Sequence, residues 1–215
     1  MCSCVYSEFY NNYQGLSVFQ YNEENAKVMI EDVTANNNEL VGLYLTGTGI
    51  TVNNAISRNN QNGIYLTGTG ITVNNANSRN NEYGLAIGNN IENEITLVGD
   101  IDATNNKYGF IAFSETQGKV YVAGNLNLNR NNVLGVATDS SPEFTLVVGG
   151  SYSGKSGKNG SGSLTACDNN LYDIGQYDIY NFGGSTFEGS DYTCGTKRVF
   201  TADVPNCKPC HPGCS

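Results

Sequence analysis

The sequence predicts an all-β chain: a parallel β-helix of about six to seven coils, three short strands to a coil, with a Cys-rich C-terminal cap. Three observations predict it. Asn-Asn is followed shortly by Gly at six places, and the glycines Gly15, Gly42, Gly63, Gly84, Gly109 and Gly135 are 27, 21, 21, 25 and 26 residues apart, the length of a solenoid coil. Within each unit the apolar residues skip one position, as in Leu43-x-Leu45 and Ile50-x-Val52, the period of a strand whose alternate side chains point inward. Residues 43–63 and 64–84 agree at 17 of 21 positions, so the array is modular. Apolar spacing of three and four is absent from these units, and Gly, Asn and Thr are poor helix formers, which disfavours a helical solenoid.

In chain order the unit reads as strand, corner, strand, Asn-Asn corner, strand, corner. First strands place inward Ile50/Val52, Ile71/Val73, Ile95/Leu97, Val120/Val122 and Phe144/Leu146. Second strands place inward Val33/Ala35, Ala55/Ser57, Ala76/Ser78 and Ile101/Ala103; Leu126 and Leu128 sit one residue out of register and call for a bulge. Third strands contribute Leu43/Leu45, Ile64/Leu66, Leu85/Ile87 and Phe110/Ala112. Coils stack at about 4.8 Å, and each buries too few side chains to stand without its neighbours. The paired asparagines suit corners, since Asn tolerates left-handed backbone and its amides can bond along the axis as a ladder.

At the start, residues 5–9 match a second strand and Leu16-x-Val18 a third, so the chain is expected to open in mid-coil. That opening exposes Phe9 and Leu16 and calls for missing N-terminal coils or a capping partner, unless Cys2 and Cys4 belong to a minimal cap. An incomplete start also explains why no signal peptide is readable. Residues 1–163 are assigned to the repeats, ending in a Gly/Ser-rich loop from Ser151 to Ser163, with Asn169-Asn170 echoing a last coil. Residues 164–215 carry Tyr172, Tyr177, Tyr180 and Phe182 with five cysteines, and are assigned to a disulfide-stapled capping segment.

Units such as Gly63-Ile64-Tyr65-Leu66 and Ile71-Thr72-Val73-Asn74-Asn75 resemble the repeat of the right-handed parallel β-helix superfamily, the pectin-lyase-like proteins, over about residues 5–153. The resemblance implies a single-stranded, right-handed helix. It leaves activity open, because that fold hosts lyases, hydrolases, epimerases, adhesins and inert scaffolds. Its enzymes use carboxylate clusters with Arg or Lys across neighbouring coils. The outward carboxylates here are Asp32, Asp100 and Asp102, with Arg58 and Arg79 at equivalent positions of adjacent coils. Asp100 and Asp102 flank inward Ile101 and form a small acidic cluster, but calcium wants six to eight oxygens and two carboxylates do not make a site.

A net charge of −9, with 11 Lys+Arg spread thinly, leaves no basic stripe for nucleic acid. No apolar run is long enough to span a bilayer as a helix. Charged residues are 14% and apolar residues 39%, the opposite of the disordered signature.

Three motifs need weighing. Gly149 to Ser156 fits the phosphate-loop pattern, but Gly157, Gly160 and Gly162 follow it, so no helix starts behind it, and its glycines align with the repeat. Cys207-Lys208-Pro209-Cys210-His211 has haem-attachment spacing, and with Cys214 it offers a zinc set. Disulfides among Cys167, Cys194, Cys207, Cys210 and Cys214 are the reading adopted. Asn159-Gly160-Ser161 is a single glycosylation sequon. No catalytic residue, metal or cofactor is assigned.

Two outward rows recur. Tyr44 and Tyr65 lie beside Thr46 and Thr67, a set suited to holding a sugar ring, and Thr51, Thr72, Thr96 and Thr145 align with Tyr121 interrupting. Cross-strand packing accounts for both equally well. The expected function is a non-catalytic module, extracellular or at the cell surface, binding carbohydrate or serving as a structural or adhesive scaffold. Its expected partner is polysaccharide or cell-wall and matrix material. The alternatives are a polysaccharide lyase or glycoside hydrolase of this fold, or an ice-binding surface.

Overall fold

The structure, a computed structural model, describes residues 2–20, 27–89, 92–139, 143–149, 162–169, 178–181, 185–195, 197–199 and 207–210. All regular structure among them is β. The strands in chain order are β1 (Cys2–Tyr10), β2 (Gln14–Gln20), β3 (Val28–Asn36), β4 (Val41–Thr48), β5 (Ile50–Arg58), β6 (Asn62–Arg79), β7 (Tyr83–Ile87), β8 (Asn93–Asp102) and β9 (Tyr108–Ala112). They continue with β10 (Gly118–Val122), β11 (Asn125–Asn127), β12 (Leu134–Thr138), β13 (Phe144–Val148), β14 (Ser163–Ala166), β15 (Ile179–Asn181), β16 (Thr186–Gly189), β17 (Tyr192–Cys194) and β18 (Lys197–Val199).

Each strand pairs in parallel with its equivalent one coil on, giving a three-faced β-solenoid. On the first face Ile30, Val52, Val73, Leu97, Val122 and Val148 follow one another in register. All six are at most 2% exposed, and burying each such side chain is worth about 1.5–3 kcal/mol. The second face stacks Val33, Ala55, Ala76 and Ile101, and the third stacks Leu43, Ile64, Leu85 and Phe110. β3, β5 and β6 pass from first face to second without interruption. They bend at one residue in left-handed conformation, Asp32, Asn54 and Asn75, with φ between 51° and 57°.

The Asn-Asn corner does two separate jobs. Its first residue takes the left-handed backbone, as at Asn37, Asn59, Asn80 and Asn105. The second turns inward. Asn38, Asn60, Asn81, Asn106 and Asn131 are at most 6% exposed, and each backbone N–H donates to the next side-chain oxygen at 2.8–2.9 Å. In the coil of Asn131-Asn132 the pair is shifted: Arg130 takes the bend, with φ 57°, and Asn131 joins the ladder. The following glycine has a steric cause. A Cβ at Gly63 would collide with the Ser78 hydroxyl and the Asn81 amide, and one at Gly84 with the Asn106 amide, so the ladder occupies the room of a side chain.

The register departs from expectation at three places. In β13 the inward pair opposite Val120/Val122 is Leu146/Val148, and Phe144 faces Gly118. The apolar run Phe-Thr-Leu-Val-Val admits either pair, and strand pairing selects the later one. It follows that Val148 stands opposite Val122, and Gly149 takes the place of Ala123. Leu126 pairs directly with Ile101. The extra residue lies one coil earlier, where Asn74–Ala76 opposes Val98–Ile101, with Gly99 in the bend at φ 68°. The opening strand is fuller than a second strand alone, because Cys2 and Cys4 pair with first-face positions Val28 and Ile30.

The stack also runs past residue 163. β14 lies on β11, β15 on β12, β16 on β13, β17 on β14 and β18 on β15. Strands β14–β18 thus continue the stack into the Cys-rich C-terminal segment, which is stapled by the Cys167–Cys210 and Cys194–Cys207 disulfides, with Cα separations of 5.8 and 5.4 Å. Residues 207–210 lie against β17, the Lys208 N–H donating to Tyr192 O at 2.8 Å and the Cys194 N–H donating to Lys208 O at 3.1 Å.

Candidate functional site

Tyr44 and Tyr65 do stack, with ring centroids 5.0 Å apart and planes 19° from parallel. The stack is longer than the pair. Phe19 packs on Tyr44 at 5.4 Å, Phe113 on Tyr65 at 6.3 Å, Tyr83 edge-on to Phe113 at 5.4 Å, and Tyr108 flat on Tyr83 at 5.3 Å. Lys107 lies 5.5 Å over Tyr108 and donates to Glu82 at 2.9 Å. Burial, helped by the neighbouring Tyr44, pushes the Tyr65 hydroxyl above its ordinary pKa. Thr46 and Thr67 are only 9% and 8% exposed. A sugar ring stacks on an open aromatic face, and these faces cover one another, so the four-residue set is packed as a structural ribbon.

The threonine row is shorter than its sequence spacing implies. Thr51, Thr72 and Thr96 are in register, preceded by Met29 and followed by Tyr121 and Val147. Thr145 pairs instead with Lys119, by the same two-residue displacement that moved Phe144. Three threonines, with Thr96 itself 7% exposed, make no extended regular lattice.

The bend between first and second faces builds the concave surface. Outward side chains at this corner form a second ladder in the open: Asn54 donates to Asp32 at 2.9 Å and Asn75 to Asn54 at 3.3 Å. Further on, Asp100 N–H donates to Asn75 Oδ1 at 3.0 Å, Asn125 to Asp100 at 2.8 Å, and Ser163 to Asn125 at 3.0 Å. Beside it runs the outward row of the second face, Thr34, Ile56, Asn77 and Asp102. Between the rows lies a groove of about 680 Å³, floored by Ala55 and Ala76 and reached at one end by Tyr6. Tyr6 is 70% exposed, and its hydroxyl donates to Glu8 at 3.0 Å.

The acidic residues expected from the sequence all line this groove, but they have separate partners. Asp102 forms an ion pair with Arg79, Asp100 is held by Asn125, and Asp32 by Asn54. Arg58 stacks on Arg79 in register and donates to Asn77 at 3.5 Å. Asp100 and Asp102 thus do not converge on one point, and no group of three or more metal-ligating side chains occurs among the described residues. From the sequence, Asn54 and Asn75 read as corner geometry alone, and Tyr6, Ile56 and Asn77 carry no site signal. The recurrence of Asn53-Asn54-Ala55 as Asn74-Asn75-Ala76 was the available signal.

Both thiols of the Cys207–Cys210 pair are consumed by separate disulfides. That pair therefore offers no thiolate to zinc and none to a haem vinyl group. Cys214, His211, Tyr172, Tyr177, Phe182, Asn170, the sequon at Asn159 and residues 150–161 of the phosphate-loop motif and Gly/Ser-rich segment lie outside the described residues. Comparison of the chain with protein-family models, with curated proteins and with solved structures finds no match.

Proposed function

We propose that the protein is a non-catalytic binding module that seats an extended polysaccharide in the groove between its first and second faces. The observation that carries this reading is the groove itself: apolar floor, amide and hydroxyl wall, and an exposed tyrosine at one end, repeated over successive coils. Pyranose rings present apolar C–H faces and hydroxyl edges, which such a surface complements. The coil step of about 4.8 Å is close to the length of one sugar residue in an extended chain. Two disulfides support an extracellular or cell-surface setting, and the repeat's likeness to the pectin-lyase-like proteins belongs to the same proposal. Catalysis is disfavoured because each carboxylate is already hydrogen-bonded or ion-paired.

Affinity electrophoresis against a panel of neutral and charged polysaccharides tests the proposal. Retardation by at least one polymer is expected, weakened in Tyr6→Ala and Asn77→Ala. Retardation untouched by both variants would place the ligand elsewhere. Product release abolished by Asp100→Ala or Asp102→Ala would overturn the non-catalytic reading.

A further inference from the structure

We infer that the groove selects an amine-bearing polymer, a β-linked glucosamine chain with free amino groups, over polyuronates and over its N-acetylated counterpart. The inference rests on the groove reading above and adds the charge of its ligand. Asp32 and Asp100 are both exposed on the groove wall. Each accepts one amide hydrogen bond, from Asn54 and Asn125, which leaves further lone pairs on each carboxylate directed to solvent. Neither carboxylate is neutralised: the ion pairs among the described residues are Arg79–Asp102, Lys107–Glu82 and Lys208–Asp191. Among the described residues no cation lines the groove; of the two arginines beside it, Arg79 is occupied by Asp102 and Arg58 donates to Asn77.

A chain of net charge −9 whose groove carries Asp32 and Asp100 outside any ion pair among the described residues repels a polyanion over a Debye length of about 8–10 Å. Two such carboxylates three coil steps apart, about 14 Å at 4.8 Å per step, suit a polymer with a cationic group at each repeat. At the groove end the exposed Tyr6 ring stands in the corner row beside Asp32, and an aromatic face next to a carboxylate is a site for a protonated amine. A lysine-rich peptide would supply the same charge. The groove-lining hydroxyl of Thr34 and amides of Asn54, Asn75 and Asn77 favour a ligand that brings hydroxyls of its own.

Calorimetric titration with three six-residue oligomers, of glucosamine, N-acetylglucosamine and galacturonate, tests this, with oligolysine of equal length as a fourth probe. The glucosamine oligomer is expected to bind about tenfold more tightly than the N-acetylated one, with galacturonate weakest and the preference falling as salt is raised. In an Asp32→Asn/Asp100→Asn double variant, which keeps the left-handed bend and the acceptor oxygens, the glucosamine affinity should drop to the N-acetylated level while the latter stays put. Equal affinities in the unaltered protein, tighter galacturonate, or oligolysine matching glucosamine would each overturn the inference. In those cases oligosaccharide binding lost in Tyr6→Ala would still support the groove. Absence of binding by every oligosaccharide would overturn the groove reading itself.

Discussion

Asp178 ends the buried amide ladder: one carboxylate oxygen accepts from both the backbone N–H and the side-chain amide of Asn169, at 3.1 and 2.8 Å. Its other oxygen accepts from the Gly195 N–H at 2.8 Å, which joins the ladder to the residue after the bridged Cys194. A carboxylate fits this position because it only accepts, whereas an amide would turn a donor against one of these N–H groups. Asp178→Ala is therefore expected to destabilise by about 2–4 kcal/mol, because it leaves buried donors unpaired. Asp178→Asn should cost roughly half as much. Urea midpoints measure both. A midpoint for Asp178→Ala equal to that of the unaltered protein would show that the ladder is not fastened here.

Gly70 and Gly99 have nearly the same backbone, φ 67° and 68°, and different surroundings. A Cβ at Gly70 meets nothing nearer than Gly49 N at 3.6 Å, whereas one at Gly99 collides with the Asn75 side chain. Gly70→Ala thus carries only the left-handed penalty of about 1–2 kcal/mol. Gly99→Ala should lose clearly more and should also weaken groove binding, because Asn75 is displaced from Asp100. Equal losses by urea unfolding would mean that Asn75 does not crowd this bend.

The inward residues were legible because a strand's period of two leaves a stripe of positions where a polar side chain would be stranded, and Ile64, Leu66, Ile71 and Val73 fill that stripe without exception. Position along the stack was less legible. Phe144, Leu146 and Val148 all satisfy the same parity, so only pairing with β10 decides which two oppose Val120 and Val122. Glycine after Asn-Asn looked like corner chemistry, yet Gly63 is required by the Ser78 hydroxyl and the Asn81 amide of the next coil, a contact no single unit contains. The groove was hidden for the same reason: Asp32, Asn54, Asn75 and Asp100 are neighbours only after stacking. Tyr44 and Tyr65 stood out as an aromatic pair, but Phe19 and Phe113, which cover them, sit outside the repeated unit. With five cysteines in the C-terminal region, spacing alone could not choose the two pairs that formed.

The near-identity of residues 43–63 and 64–84 makes one coil removable. Deleting residues 64–84 joins Gly63 to Leu85, which brings Leu85 over Leu43, Ile95 over Ile50 and Asn106 beside Asn60. Each replaces a residue already equivalent in register. The shortened chain should keep its β-rich circular dichroism and lose modest stability, with a groove one coil shorter and a weaker ligand affinity. Deleting ten residues from the same region shifts every later coil off its partner and should abolish folding. Unfolding of the 21-residue deletion, with the shorter deletion no worse, would contradict the interchangeability of these coils.

Tyr192 makes stability fall at high pH. Its side chain is fully buried, and its hydroxyl can donate to Glu188 O at 2.8 Å or Leu146 O at 3.2 Å. Burial pushes its pKa well above the ordinary value of 10.0, and the charge of Glu188 adds to the rise. A raised folded pKa means that, above pH about 10, the unfolded chain gives up this proton while the folded chain keeps it. The folded state then binds more protons, so stability decreases with rising pH. The contribution is intact below the unfolded pKa and is lost as pH climbs toward the folded one. Tyr192→Phe removes the titrating group at a cost of about 1 kcal/mol near neutrality, from the lost hydrogen bond. Its urea midpoint should then decline less steeply above pH about 10 than that of the unaltered protein. Tyr65 and Tyr83, also raised by burial, are present in both proteins and cancel in the comparison. Parallel declines across that range would assign the alkaline loss to groups other than Tyr192.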